Sequence, residues 1–388
     1  MAVKLSFTGR PVHPFGNVIG RATHQPLPMG QRADAILIWP GQEPHSDVMG
    51  YAGVLTCGQM EGHAPIIGRC ADLSAAEPGS VVFMDGRSGF VRVLYRPSST
   101  HNAIFATGRC NSNCIMCPQP PTDKEDPEGL AGILKMLSLI EIAPASMGIT
   151  GGEPTLLGDG LIEILTVMKE RMPGTTIQLL TNGRIFKNPT YAAKIAAIGH
   201  PNLILAVPIY ADTAPLHDWI VQCRGAFDET IDGLYNLAHY NMRVEIRVVL
   251  HKETVPRLER LCEFIFWNLP FVEHIALMGM ENMGYVKKNW DTLWIDPVDY
   301  TAPLNRAVEY IFIRGMAVSI YNVQLCLLSR DLWAFARQSI SDYKNIHLEA
   351  CRSCEVSDRC CGLFSSQETL HSVHIAPVRG VGHVSTVP

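Results

Sequence analysis

A chain of 388 residues, 47% hydrophobic and 18% charged, carries enough apolar material for two or three domains with sizeable cores. Its net charge of −5 and its lack of any basic block argue against DNA or RNA as the main partner. The N-terminal stretch "MAVKLSFTGRPVHPFGNVIG" has no apolar run of signal-peptide or membrane length, so the expectation is a cytoplasmic protein with no membrane partner.

Residues 1–95 are rich in Gly and Pro and hold short β-type runs at Ala35–Trp39, Ser80–Met84 and Gly89–Tyr95, each bounded by turn residues. They predict a small β-rich domain. Either it caps the open end of the next domain, or it docks a peptide by adding a strand to a sheet edge. From 96 to 290 strands alternate with helices. Ala103–Thr107 is a strand running into a cysteine loop, Gly129–Ile142 a helix, and Ser146–Thr150 a strand ending in Gly151-Gly152-Glu153-Pro154. Helix Leu161–Arg171 leads to strand Thr176–Thr181, closed by Asn182-Gly183, and a helix near Tyr191–Ile198 leads to strand Leu203–Val207. A helix over Ala226–His239 precedes strand Arg243–Leu250; another from Val255 precedes a sixth strand, Ile275–Met278.

Six β-then-α units predict an α/β fold, a partial (β/α)6 TIM-type barrel with its functional loops at the strands' C-terminal ends. The cysteine loop, "GGEP" and "TNG" share that rim. Beyond 290 the rhythm fades, and residues 291–388 form a helical, cysteine-dense region ending in "CRSCEVSDRCCGLF".

Twelve cysteines in a cytoplasmic chain read as metal or redox residues rather than disulfides. Cys57, Cys70, Cys223 and Cys262 are scattered and read as buried apolar thiols. Cys110, Cys114 and Cys117 fall within eight residues, one short of the four ligands of a structural zinc site. Two readings stand at this point: zinc completed by a remote ligand, or a 4Fe–4S cube with three thiolates and one open iron.

C-x3-C-x2-C after a strand, with Gly151-Gly152-Glu153 after the second strand and Thr181-Asn182-Gly183 after the third, resembles the radical S-adenosylmethionine (radical SAM) superfamily. The resemblance implies a 4Fe–4S cluster on Cys110, Cys114 and Cys117 whose open iron chelates SAM. It implies a SAM site at Gly151, Gly152, Glu153 and Asn182, with Glu153 accepting from the SAM ammonium and Arg247 as a partner for the SAM carboxylate. Where many members carry an aromatic residue before the third cysteine this chain has Met116, and Pro208 stands where related peptide-modifying enzymes often have serine. Tyr210 and Asp212, on the same rim, are candidates to face substrate.

Longer matches, among them "CNSNCIMCPQPP", "GGEPTLLGDG", "ALMGMENMGY" and "LWAFARQSISDYKN", resemble the His-Xaa-Ser system radical SAM peptide maturases of the type lettered C, from about residue 100 to 365. In such enzymes a shortened auxiliary-cluster domain follows the barrel. That implies a second 4Fe–4S cluster on Cys326, Cys351, Cys354 and Cys360, with Cys361 as the alternate to Cys360 and structural zinc as the other reading. The resemblance implies a ribosomally made precursor peptide as substrate, a second radical SAM maturase subunit, and a flavodoxin or ferredoxin as electron donor. A cross-link or related oxidation is the expected product. The alternatives are a radical SAM enzyme acting on a small molecule or RNA, and a non-catalytic cluster- or zinc-bearing scaffold in a maturase complex.

Overall fold

The computed structural model describes residues 4–41, 47–124 and 128–380. Its first eight strands form one mixed sheet: β1 (Ser6–Thr8), β2 (Arg10–Pro11), β3 (Asn17–Thr23), β4 (Ala35–Trp39), β5 (Gly53–Thr56), β6 (Ile66–Gly68), β7 (Val81–Asp85) and β8 (Phe90–Tyr95), in the order β1-β8-β7-β3-β4-β5-β6-β2. The β4 sequence AILIW is apolar throughout because the sheet is covered on both faces. Ile36 and Ile38 pack with Leu55, Ile67 and Val82 on one side, and Leu37 packs with Val54 and Ile66 on the other.

The second sheet runs β9 (Asn102–Phe105), β10 (Ser146–Thr150), β11 (Thr176–Leu180), β12 (Leu203–Pro208), β13 (Arg243–Leu250), β14 (His274–Gly279), β15 (Ala317–Tyr321) and β16 (Ala336–Arg337). Neighbours in space follow chain order and every pairing is parallel. The connecting helices are α1 (Gly129–Leu139), α2 (Asp159–Arg171), α3 (Pro189–Ile198), α4 (Ala214–Val221), α5 (Ala226–His239), α6 (Leu258–Asn268), α7 (Tyr285–Lys288), α8 (Trp290–Leu293) and α9 (Thr301–Phe312). Alternation along β13 shows how the half-barrel is built: Val244, Ile246, Val248 and Leu250 enter the core beneath the helices, which turns Glu245 and Arg247 to the opposite, lumenal face.

This sheet has two strands more than the six expected from sequence. It continues past residue 290 because β15 returns to the barrel after α9. The short helices α7 and α8 sit between β14 and α9 and break the β/α period, and two-residue β16 is too short to carry a pattern.

The N-terminal sheet joins the barrel along α1 and beside β9. Tyr95 donates from its hydroxyl to Ile142 O (2.7 Å), Lys135 pairs with Asp34 (2.6 Å), and Arg92 pairs with Glu128 (3.1 Å). After β16 the chain forms a small antiparallel pair, β17 (Asn345–Ile346) with β18 (Leu363–Phe364), which brackets the terminal cysteines. Among the described residues no helix is long and apolar enough to cross a membrane.

Candidate functional site

The loop after β9 carries Cys110, Cys114 and Cys117 on the rim, and its backbone is fastened at many points. Asn113 and Ile115 donate to Val221 O and Ile220 O at the end of α4 (3.0 and 2.9 Å). Cys117 O accepts from Tyr285 N at the start of α7 (2.9 Å), and Asn289 reaches Ile115 O (2.8 Å). Met116 is buried among Ile220, Met280, Val286 and Leu293, so its side chain anchors the loop in the protein interior. Burial pushes the Cys114 thiol up to about 12, with Cys117 and Cys110 adding to the shift; Cys110 and Cys117 are also raised, chiefly by burial. Three desolvated sulfurs that feel one another are neutral thiols unless a metal centre takes their protons.

A single zinc ion would draw its sulfurs to within about 4 Å of each other. Among the described residues, no three His, Cys, Asp or Glu side chains converge closely enough to hold one ion. Three cysteines on one rim loop are one ligand short of a structural zinc site and match the three thiolates of a cluster with one open iron.

The turn after β10 is pinned directly to this loop. Gly152 N donates to Thr107 O (2.7 Å) and Glu153 N to Arg109 O (2.8 Å). A Cβ on Gly151 (φ 139°) would lie 2.3 Å from Thr107 O, and one on Gly152 would lie 2.2 Å from Arg109 O. The glycines are therefore required by the chain's own backbone: the strand leading to the cysteines lies flat on the turn.

Glu153 is fully buried, and its carboxylate accepts from Thr155 N (3.0 Å), Thr155 Oγ1 (2.7 Å), Thr181 Oγ1 (2.7 Å) and Asn182 N (2.6 Å). Burial raises its pKa against the pull of those donors. The side chain works as a tie between the "GGEP" and "TNG" turns. Asn182 carries the connection on to the cysteine loop through Asn111 Oδ1 (2.6 Å).

Arg184, which sequence reasoning passed over, donates to Asn111 O (2.6 Å) and Ser112 Oγ (3.1 Å) while Glu229 on α5 holds its Nε (2.7 Å). Its only sequence signal is its place two residues after Asn182 on the same rim.

Below the rim, Arg247 faces the lumen, its Nε 3.2 Å from Glu245 Oε1 in an ion pair without hydrogen-bond alignment. Glu245 Oε2 meets His274 Nδ1 (2.9 Å), and His274 Nε2 meets Ser319 Oγ (3.0 Å). A polar line thus crosses β13, β14 and β15 where apolar filling is usual. Tyr210 is half-buried under the cysteine loop with its ring stacked on His217 (5.8 Å), and desolvation raises its phenol well above the ordinary value. Asp212 is gripped through both carboxylate oxygens by Arg257 (2.7 and 2.6 Å), an ion pair that shapes the loop after β12.

At the C-terminus, Cys326, Cys351, Cys354, Cys360 and His347 line one small pocket. Cys354 Sγ accepts from Val378 N (3.4 Å). Hydrogen bonding from Cys361 holds Cys360 down to about 6, while Cys361 itself is buried against Ile340 and Phe364. Neighbouring cysteines thus divide: Cys360 faces the other thiols and Cys361 faces the core.

A parallel half-barrel with a three-cysteine loop on its rim defines the class. Residues 104–265 match the model of the Radical SAM superfamily and form a radical SAM domain. An uncharacterized protein of Methanocaldococcus jannaschii is 26% identical over 234 residues, spanning 56% of this chain and 74% of the relative. Fe-coproporphyrin III synthase of Methanosarcina barkeri is 24% identical over 190 residues, 46% of each chain. Among solved structures, Streptococcus suis SuiB bound to S-adenosylmethionine aligns with TM-score 0.47 and 16% identity, covering 57% of this chain and 50% of that one. The chain thus spans half or less of the last two proteins.

Proposed function

We propose that this chain is a radical SAM enzyme that cleaves SAM reductively and oxidises a ribosomally made peptide, installing a cross-link or a related modification. The observation that carries the proposal is the junction of the cysteine loop with the glycine turn. Thr107 and Arg109, immediately before Cys110, are hydrogen-bonded to Gly152 and Glu153. A cluster held by Cys110, Cys114 and Cys117 is thereby fixed relative to the surface on which SAM would lie.

A reduced 4Fe–4S cluster and SAM held there would supply hydrogen-atom abstraction from substrate. The chain's own residues place and shield that chemistry. Gly151, Gly152 and Asn182 form the backbone wall, and Glu153 fixes that wall from behind. Arg247 presents a guanidinium suited to a carboxylate. Met116, Tyr210 and the α7–α8 residues exclude water beneath the loop.

In this reading Cys326, Cys351, Cys354 and Cys360 would hold a second cluster, which would supply one-electron redox chemistry, with zinc as the competing occupant. A flavodoxin or ferredoxin delivers the first electron, and a second radical SAM subunit is the expected partner. A small-molecule substrate is the second reading, favoured by the relative named Fe-coproporphyrin III synthase.

The test is anaerobic incubation of the iron-loaded protein with SAM and dithionite. The proposal expects 5′-deoxyadenosine; intact clusters with no cleavage would assign the chain a scaffold role.

A further inference from the structure

The loop between β14 and α7, residues 280–284, touches both cysteine-bearing regions of the chain. On one side it meets the rim loop. Tyr285 N donates to Cys117 O (2.9 Å), and Gly284, at φ 56°, lies so close to the carbonyls of Cys117 and Pro118 that no Cβ fits there. Met280 and Val286 pack with Met116.

On the other side it meets the C-terminal region. Met280 O accepts from Gln367 Nε2 (3.2 Å), and Glu281 takes Lys344 Nζ on both carboxylate oxygens (3.0 and 3.1 Å). Lys344 is tied in turn to the segment that carries Cys360. Its carbonyl accepts from Ser365 N (2.7 Å), while Asn345 pairs with Phe364 and donates from its side chain to Cys361 O. Between its two ends the loop is braced: Met283 N donates to Glu281 O (2.9 Å), Val286 N donates to Met283 O (3.1 Å), and Asn282 is buried. The side chains of Glu281 and Lys344 are 13% and 33% exposed, so removing either partner leaves a poorly hydrated charge.

We propose that this loop couples the two cysteine sites, with the Glu281–Lys344 ion pair as the positioning contact through which a filled C-terminal site holds the Cys110, Cys114 and Cys117 loop in place. The proposal rests on the reading above that both groups of cysteines bind metal centres, and it is independent of the substrate. A metal centre that orders the chain around Cys360 orders Lys344, Lys344 fixes Glu281, and the braced loop fixes Cys117 O. Coupling of this kind is reciprocal. Neither Glu281 nor Lys344 lines the pocket of the C-terminal thiols; they act through backbone.

The test is hydrogen exchange of the full, metal-loaded chain kept anaerobic, read by mass spectrometry over residues 113–117, with β11 as internal reference. Glu281→Gln should speed exchange at 113–117 by about fivefold or more, the lower end of measured site-to-site couplings, and leave β11 unchanged. A general loss of stability would speed both. Cys360→Ser, which empties the C-terminal site, should speed exchange at 113–117 in the parent and add nothing in the Glu281→Gln background. Should Glu281→Gln lose its melting transition, Lys344→Met breaks the same pair from the other side and is read in the same way.

Unchanged exchange at 113–117 when the pair is broken, no effect of Cys360→Ser in the parent, or an equal effect of Cys360→Ser in both backgrounds would overturn the proposal. SAM cleavage by the parent is read in parallel. Cleavage with exchange unmoved removes the coupling and leaves the enzyme reading standing; coupled exchange without cleavage does the reverse.

Discussion

Replacing Glu153 by glutamine tests whether this buried carboxylate is the tie that holds the rim turns together. All four contacts to Glu153 come from groups able to donate, and the two backbone amides, Thr155 N and Asn182 N, can do nothing else. A glutamine amide must direct its NH2 at one of these two, since they lie on different oxygens. One buried charge-assisted bond of about 1.5–3 kcal/mol is then lost and two donors face each other. The side chain is fully buried, so water cannot repair the fault. We expect Glu153→Gln to lower unfolding free energy by about 2–4 kcal/mol, read by urea denaturation of the apo chain with an unchanged m value, and to lower iron retained on the cysteine loop. A loss below about 0.5 kcal/mol, within the range of an ordinary surface change, would refute the reasoning and free Glu153 for a ligand.

Arg184→Ala should release Asn111 and Ser112 and cut the iron retained on the cysteine loop by half or more, counted after desalting. Lysine should not rescue it, because an ammonium cannot span both that loop and Glu229. Cys360→Ser should remove metal from the C-terminal pocket while Cys361→Ser leaves the metal count unchanged, since only Cys360 lines that pocket. His217 and His251 are buried and depressed from 6.5 to about 4. Below pH 6.5 the unfolded chain binds a proton at each that the folded chain refuses. Stability should therefore fall as pH drops from 6.5 toward 4, by about 2 kcal/mol per histidine at pH 5. Thermal melts of His217→Gln should show a smaller loss between pH 7.5 and 5 than the parent does.

What could be read from the chain beforehand was local or periodic. Cys110, Cys114 and Cys117 declare themselves by spacing, and β10, α5 and β13 follow their apolar periods to within a residue or so. The chemistry between distant residues could not be read. Asn182 meets Asn111 and Arg184 meets Ser112 across some seventy residues, and Glu245 finds His274 only because β13 and β14 are in register.

The two glycines of the rim turn were visible in the sequence, but their close approach to Thr107 and Arg109 of the neighbouring segment was not. The resemblance gives Glu153 to the SAM ammonium and leaves Asp212 as a candidate to face substrate; in the structure Glu153 accepts from four donors and Asp212 pairs with Arg257, contacts no local sequence pattern shows. The sheet beyond residue 290 was hidden by α7 and α8, which interrupt the period before β15 restores it.

The claim on which the rest depends is that the Cys110, Cys114 and Cys117 loop carries a cluster with one iron open to SAM. Electron paramagnetic resonance of the anaerobically reduced protein, before and after adding SAM, measures this directly. The account expects a 4Fe–4S signal whose g values shift when SAM binds and which disappears when the three cysteines are changed to alanine. A signal indifferent to SAM, or zinc bound to that loop in place of iron, would contradict it.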